Sequence, residues 1–160
     1  MNTLELREKA ESGSLVAQSM LGICYLYGID TAINYLQAFR LLRAASDRGS
    51  SRAVVNLARM YAEGCGVPQD SSEAIRLYAA VAKVEFFAAL ELGRIYSVGV
   101  GVSPNLEAAT KWYSLAAGWR DRISETEISE QVAWATGVPR AEDIRRAEFF
   151  VGQANRGATG

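Results

Sequence analysis

The sequence predicts an all-α fold, a solenoid of about four helix-pair repeats with an N-terminal half-repeat cap and a degenerate C-terminal repeat. Three observations carry that expectation. The stretch Gly49 to Glu85 occurs again on both sides of itself: Ala53, Leu57, Ala58, Tyr61 and Gly64 match Ala17, Leu21, Gly22, Tyr25 and Gly28 upstream, and Ala88, Leu92, Gly93, Tyr96 and Gly99 downstream. Within each copy Ala, Leu and Tyr recur every four positions, which is one face of an α-helix and not the alternation of a strand. A glycine then closes the helical run, and a short polar residue (Asn34, Asp70, Asn105, Asp143) opens the next one.

Taken in order, residues 1–13 read as a cap helix. Asn2 can cap its start with Glu5 three residues on, and Gly13 ends it. Residues 14–49, 50–84 and 85–120 are three repeats and 121–157 a degenerate fourth repeat or cap, the whole of 1–160 forming a single repeat domain. In each repeat the first helix carries the Ala-Leu-Tyr stripe. The second buries the columns Ala38/Ala74/Ala109/Ala147 and Leu42/Tyr78/Tyr113/Val151. Glycine inside a helix costs about 1 kcal/mol in propensity, so the small column Gly22, Ala58, Gly93 implies close approach of the paired helices. In the fourth unit Trp134, Gly137, Asp143 and Ala147 keep register, while Gln131 replaces the small residue and Glu125, Glu127 and Glu130 make the first helix polar, as suits a terminal repeat.

Composition narrows function by exclusion. Apolar residues make up 49% of the chain and the formal net charge is −1, so no global field draws it to nucleic acid or an anionic membrane. No run approaches the roughly 20 apolar residues of a membrane helix, and the N-terminus lacks the basic-then-apolar pattern of a secretory signal. Cys24 and Cys65 sit at non-equivalent repeat positions and read as free thiols, which favours a cytoplasmic location. The absence of histidine removes Ser-His-Asp and Cys-His catalysis and most transition-metal sites. Gly64-Cys65-Gly66 and Gly99-Val100-Gly101 do not extend to a phosphate-loop pattern and read as turn glycines. No catalytic residue, metal site or cofactor is expected.

The pattern A-x3-L-G-x2-Y-x2-G-x-G-V followed by D/N-x3-A-x2-W-Y-x2-A-A resembles the Sel-one-like (Sel1-like) repeat, a longer-loop relative of the tetratricopeptide repeat. The resemblance runs from Gly13 to Ala117, and more weakly from Thr126 to Gly157. The first unit departs from the pattern, with Asp30-Thr31 where Gly-Val is expected. The resemblance implies a right-handed superhelix with first helices lining a concave groove and second helices outside. It also implies a non-catalytic role binding another protein, as an adaptor or regulator or, in bacteria, as a toxin-neutralising immunity protein. A cysteine-rich branch of the family is associated with β-lactam hydrolysis, but its paired cysteines and an S-x-x-K motif are missing here.

By that analogy the partner-binding residues are Met20, Ile23, Asn56, Arg59, Phe87, Glu91 and Arg94. Arg59 and Arg94 are equivalent residues one repeat apart, expected about 10 Å from each other, where two guanidiniums could grip carboxylates of a partner. The other reading is that Arg59 pairs with Glu63 and Arg94 with Glu91 along their own helices. Self-assembly as a structural repeat protein, a homodimer through Met20 and Ile23 of the first repeat, is the alternative function.

Overall fold

The structure, a computed structural model, describes residues 2–118 and 141–157. Among them are eight helices and no strand: α1 (Thr3–Glu11), α2 (Leu15–Tyr27), α3 (Tyr35–Asp47), α4 (Ser51–Glu63), α5 (Ser71–Val81), α6 (Phe86–Val98), α7 (Leu106–Ala117) and α8 (Ala141–Gly157). The fold is the α/α solenoid class, built from helix pairs. The first helix expected for the fourth repeat, with Trp134, Gly137, Gln131 and the three glutamates, lies outside the described residues.

The helix boundaries follow from capping chemistry that repeats with the sequence. Asn2 caps α1 by accepting the Glu5 N–H at 2.9 Å. Asn34, Asp70 and Asn105 do the same for α3, α5 and α7, each accepting the N–H three residues on at 2.9 to 3.0 Å. Asp143, expected to open the last helix, falls within α8, which spans Ala141–Gly157. Ser14 and Ser50 cap α2 and α4, whereas Glu85 before α6 makes no side-chain cap bond. The serines stand one repeat apart, a periodic signal that the polar openers of the second helices had overshadowed.

The turn inside each repeat is closed the same way three times. Gly28, Gly64 and Gly99 end the first helices in the left-handed conformation, at φ 70°, 72° and 85°. The N–H groups of Asn34, Asp70 and Asn105 then reach back to the carbonyls of Tyr25, Tyr61 and Tyr96 at 2.8, 2.9 and 2.8 Å. That bond folds the second helix against the first.

The chain divides into two compact units, Met1–Leu77 and Tyr78–Gly160, with the boundary inside α5. In the first unit α2 packs against both α1 and α3, and α4 packs against α3. Leu6, Ala17, Leu21 and Cys24 form one buried cluster, and Ile23, Leu26, Ala38, Leu42, Ala45, Ala53 and Met60 form the next. A Cβ added at Gly22 would lie 2.8 Å from Leu42 Cγ, so the glycine is what lets α3 approach. In the second unit α7 packs between α6 and α8. Gly93 serves there as Gly22 does here, lying against the ring of Tyr113, whose ring also stacks on Phe150 at 4.8 Å and 5°.

Candidate functional site

On the expected binding face of the first unit, the last turn of α2 meets α4 through a polar network centred on Tyr27. Helical spacing puts Asn56 and Arg59 on one side of α4 and Tyr27 opposite them. The Tyr27 hydroxyl donates to Asn56 Oδ1 at 3.1 Å, and Arg59 Nη1 donates to the same hydroxyl at 3.0 Å. Asn56 Nδ2 donates to the Arg52 carbonyl at 2.9 Å, and Arg59 Nε lies 3.2 Å from Glu63 Oε1. The guanidinium carbon sits 6.0 Å from the Tyr27 ring centroid, within cation–π range.

Three ionisable groups in and near this network are shifted upward by burial. Burial pushes the Tyr27 phenol up, and the charge and hydrogen bond of Arg59 only partly offset that. Burial, reinforced by Asp30, raises the Cys24 thiol. Cys65 is raised by burial and by Glu63, toward whose carboxylate the thiol points at 3.8 Å. A reactive thiol needs the opposite shift. Among the described residues no three His, Cys, Asp or Glu side chains group as metal ligands, and no helix is long and apolar enough to cross a membrane.

The structure sorts the sequence-predicted site residues as follows. Asn56 and Arg59 come together with Tyr27. Asn56 is only 5% exposed, so its amide is committed internally. Arg59 keeps 24% of its side chain exposed. Ile23 is a correction: at 0% exposed it belongs to the core with Leu26, Leu42 and Met60, because α3 and α4 close over that side of α2, and it can contribute neither to a partner site nor to a homodimer face. Met20 is half-buried against the Leu6–Leu21 cluster. On α6, in the second unit, Phe87 is half-buried and packs edge-on to Phe86, while Arg94 holds Glu91 through two bonds of 2.9 and 3.0 Å. Both arginines therefore take the pairing along their own helix. Tyr27 carries the network, and it is not among the partner-binding residues expected from the sequence; its signal was a polar aromatic directly before the capping Gly28.

Three comparisons agree with this architecture. The Sel1 repeat family matches residues 15–50, 51–83 and 87–117. A rat protein, protein sel-1 homolog 2 of Rattus norvegicus, is 31% identical over 114 residues, covering 66% of this chain but only 17% of its own length. The crystal structure of a Sel1 repeat protein from Oxalobacter formigenes is 31% identical with a TM-score of 0.62, over 91% of this chain and 96% of that one. That of c5321, described as a protective antigen present in uropathogenic Escherichia coli strains displaying an SLR fold, is 30% identical with a TM-score of 0.68, over 98% of this chain and 33% of that one. With three matched repeats spanning more than half its length, and the capped helix pairs those repeats specify, the chain belongs to the Sel1 repeat family.

Proposed function

We propose that this chain is a non-catalytic module that binds a partner protein on the face of its first helices. Repeats of this family are generally protein-interaction modules. The observation that carries the reading is the state of Arg59. Its guanidinium is fixed by Tyr27 and Glu63, yet remains 24% exposed beside the 55% exposed Glu63. A cation immobilised before binding loses little rotamer entropy when a partner carboxylate arrives, and its planar donor array suits such a group. The second unit offers Phe87, Glu91 and Arg94 on α6 as a further contact region.

The test is affinity capture from lysate with the wild-type chain, followed by calorimetry on the captured protein. Arg59→Glu, shown to be folded, should weaken binding by about 30-fold or more if Arg59 is a hot spot. Arg94→Glu, measured separately, reports on the second unit. Unchanged affinity in both folded variants would remove the first-helix face from consideration. If the captured protein is an enzyme inhibited at one-to-one stoichiometry, the role is neutralisation of a toxin; if its activity persists, the role is that of an adaptor. Light scattering on the chain alone tests the homodimer.

A further inference from the structure

On the other side of α2 lies a cleft of about 480 Å³, lined from α1 by Arg7, Ala10 and Glu11, from α2 by Gln18, Leu21 and Tyr25, and from α3 by Asn34, Gln37 and Leu41. At 100° per residue, Gln18, Leu21 and Tyr25 face away from Met20 and Tyr27, so this is not the surface discussed above. Its apolar floor is Leu21 and Leu41. Its walls are polar, and several of their groups are already oriented. Arg7 Nη2 donates to the Tyr25 hydroxyl at 2.8 Å. Gln18 Oε1 accepts from Arg48 Nη1 at 2.8 Å, while Arg48 Nη2 bonds the Gly13 carbonyl at 2.9 Å, which leaves the Gln18 amide N–H2 as the end presented.

The repeat supplies an internal comparison. One repeat on, Arg7, Glu11, Asn34 and Gln37 become Arg43, Asp47, Asp70 and Glu73. There the arginine is neutralised from within: Arg43 Nε lies 3.3 Å from Asp47 Oδ1. Glu73, bonded to Arg76 at 2.6 and 2.8 Å, has its carboxyl lowered by that bond, then by the charge of Arg76 and least by that of Arg43. In the first repeat both acids from the second helix are replaced by amides, Asn34 and Gln37, and Arg7 has no carboxylate within 4.0 Å among the described residues. The cleft thus keeps the arginine and Glu11, the counterpart of Asp47, without an ion pair between them, and carries amides where its copy has Asp70 and Glu73.

We propose that the cleft between α1, α2 and α3 binds an acidic side chain presented by an extended segment of a partner protein, with Arg7 taking the carboxylate. The acid stands where Glu73 stands in the next repeat. Gln18 and Gln37 offer amide groups to the segment's main chain. Glu11, one turn from Arg7, accepts a main-chain N–H and disfavours a second acid on that side. This site is separate from the first-helix face, and its test uses no residue of α4 or α6.

The probe is an end-blocked heptapeptide of Gly, Ser and Ala with one central Glu, compared with the same peptide carrying Gln, and with acetate alone. Amide chemical shifts of the full chain are followed during titration. The Glu peptide is expected to shift amides of α1, α2 and α3 around the cleft and to bind about tenfold more tightly than the Gln peptide. Arg7→Gln should abolish that preference. Because Arg7 also holds Tyr25, Gln37→Glu is the second variant: it installs the acid of the next repeat, leaves Arg7 in place, and should reduce Glu-peptide binding about tenfold. Equal binding of the two peptides, undiminished binding in folded Gln37→Glu, no binding at millimolar peptide, or acetate matching the peptide would each overturn the proposal.

Discussion

Asp30 and Gly66 occupy the same position of consecutive repeats and adopt the same left-handed backbone, at φ 53° and 71°. Asp30 is the one described non-glycine residue with positive φ. The first turn therefore keeps the shape of the others in spite of its divergent sequence, and an L-residue bears the steric strain that glycine avoids. Its carbonyl accepts the Thr3 hydroxyl at 2.9 Å, a bond that glycine would preserve. Asp30→Gly is expected to raise stability by about 0.5–1 kcal/mol, as a higher urea midpoint at unchanged slope. A lower midpoint would show that the aspartate side chain matters more than the strain.

Gly93→Ala should be strongly destabilising. The added Cβ would fall 2.6 Å from Tyr113 ring carbons, and that ring is held against Phe150. Overpacking typically costs about 1–3 kcal/mol, while alanine regains about 1 kcal/mol of helix propensity. A net loss near 1–2 kcal/mol is expected on chemical denaturation. Gly22→Ala should lose less, since the clash at 2.8 Å is with the branched end of the flexible Leu42 side chain.

Ser50→Ala should lose more stability than Ser14→Ala. Both serines accept the N–H three residues on, worth about 1 kcal/mol as a cap. Ser50 also shares a 2.8 Å hydroxyl bond with buried Ser19, which adds about 1 kcal/mol. Thermal melts of the two single variants and of Ser19→Ala/Ser50→Ala check this; the double variant should lose less than the sum of the singles.

Stability should hold through neutral pH and decline on the alkaline side. The Cys24 thiol and Tyr27 phenol are both raised in the folded chain, chiefly by burial. A raised acid retains its proton in the folded state while the unfolded chain releases it. Their contribution is thus complete below the unfolded values of about 8.5 and 10 and is lost as pH rises past them. Denaturation midpoints measured from pH 7 to 10.5 should fall less steeply in Cys24→Ala than in the wild type, since only Cys65 and Tyr27 then remain raised. Native-state alkylation should be slow at Cys24. At half-buried Cys65 it should quicken in Glu63→Gln, because Glu63 opposes the thiolate.

How much was legible in the sequence depended on the range of the interaction. The helix pairs, the capping residues Asn34, Asp70 and Asn105, the left-handed glycines and the small column at Gly22 and Gly93 all follow from contacts within a few residues or from a period repeated three times. Chain-local chemistry dictates these, so the sequence by itself determined an all-helical repeat fold. It also named the ion pairs of Arg59 and Arg94 as one of two readings, since i+4 and i−3 neighbours on a helix meet wherever the helix goes. Only tertiary structure decided which residues of a predicted face remain on the surface. Periodicity placed Ile23 beside Met20, but the depth to which α3 and α4 cover α2 is set by side-chain packing, which left Ile23 at 0% exposure and joined Tyr27 to Asn56 and Arg59. The cleft beside Arg7 was hidden for the same reason: its walls come from three helices, and a pattern read along one helix does not show how far apart the next two stand.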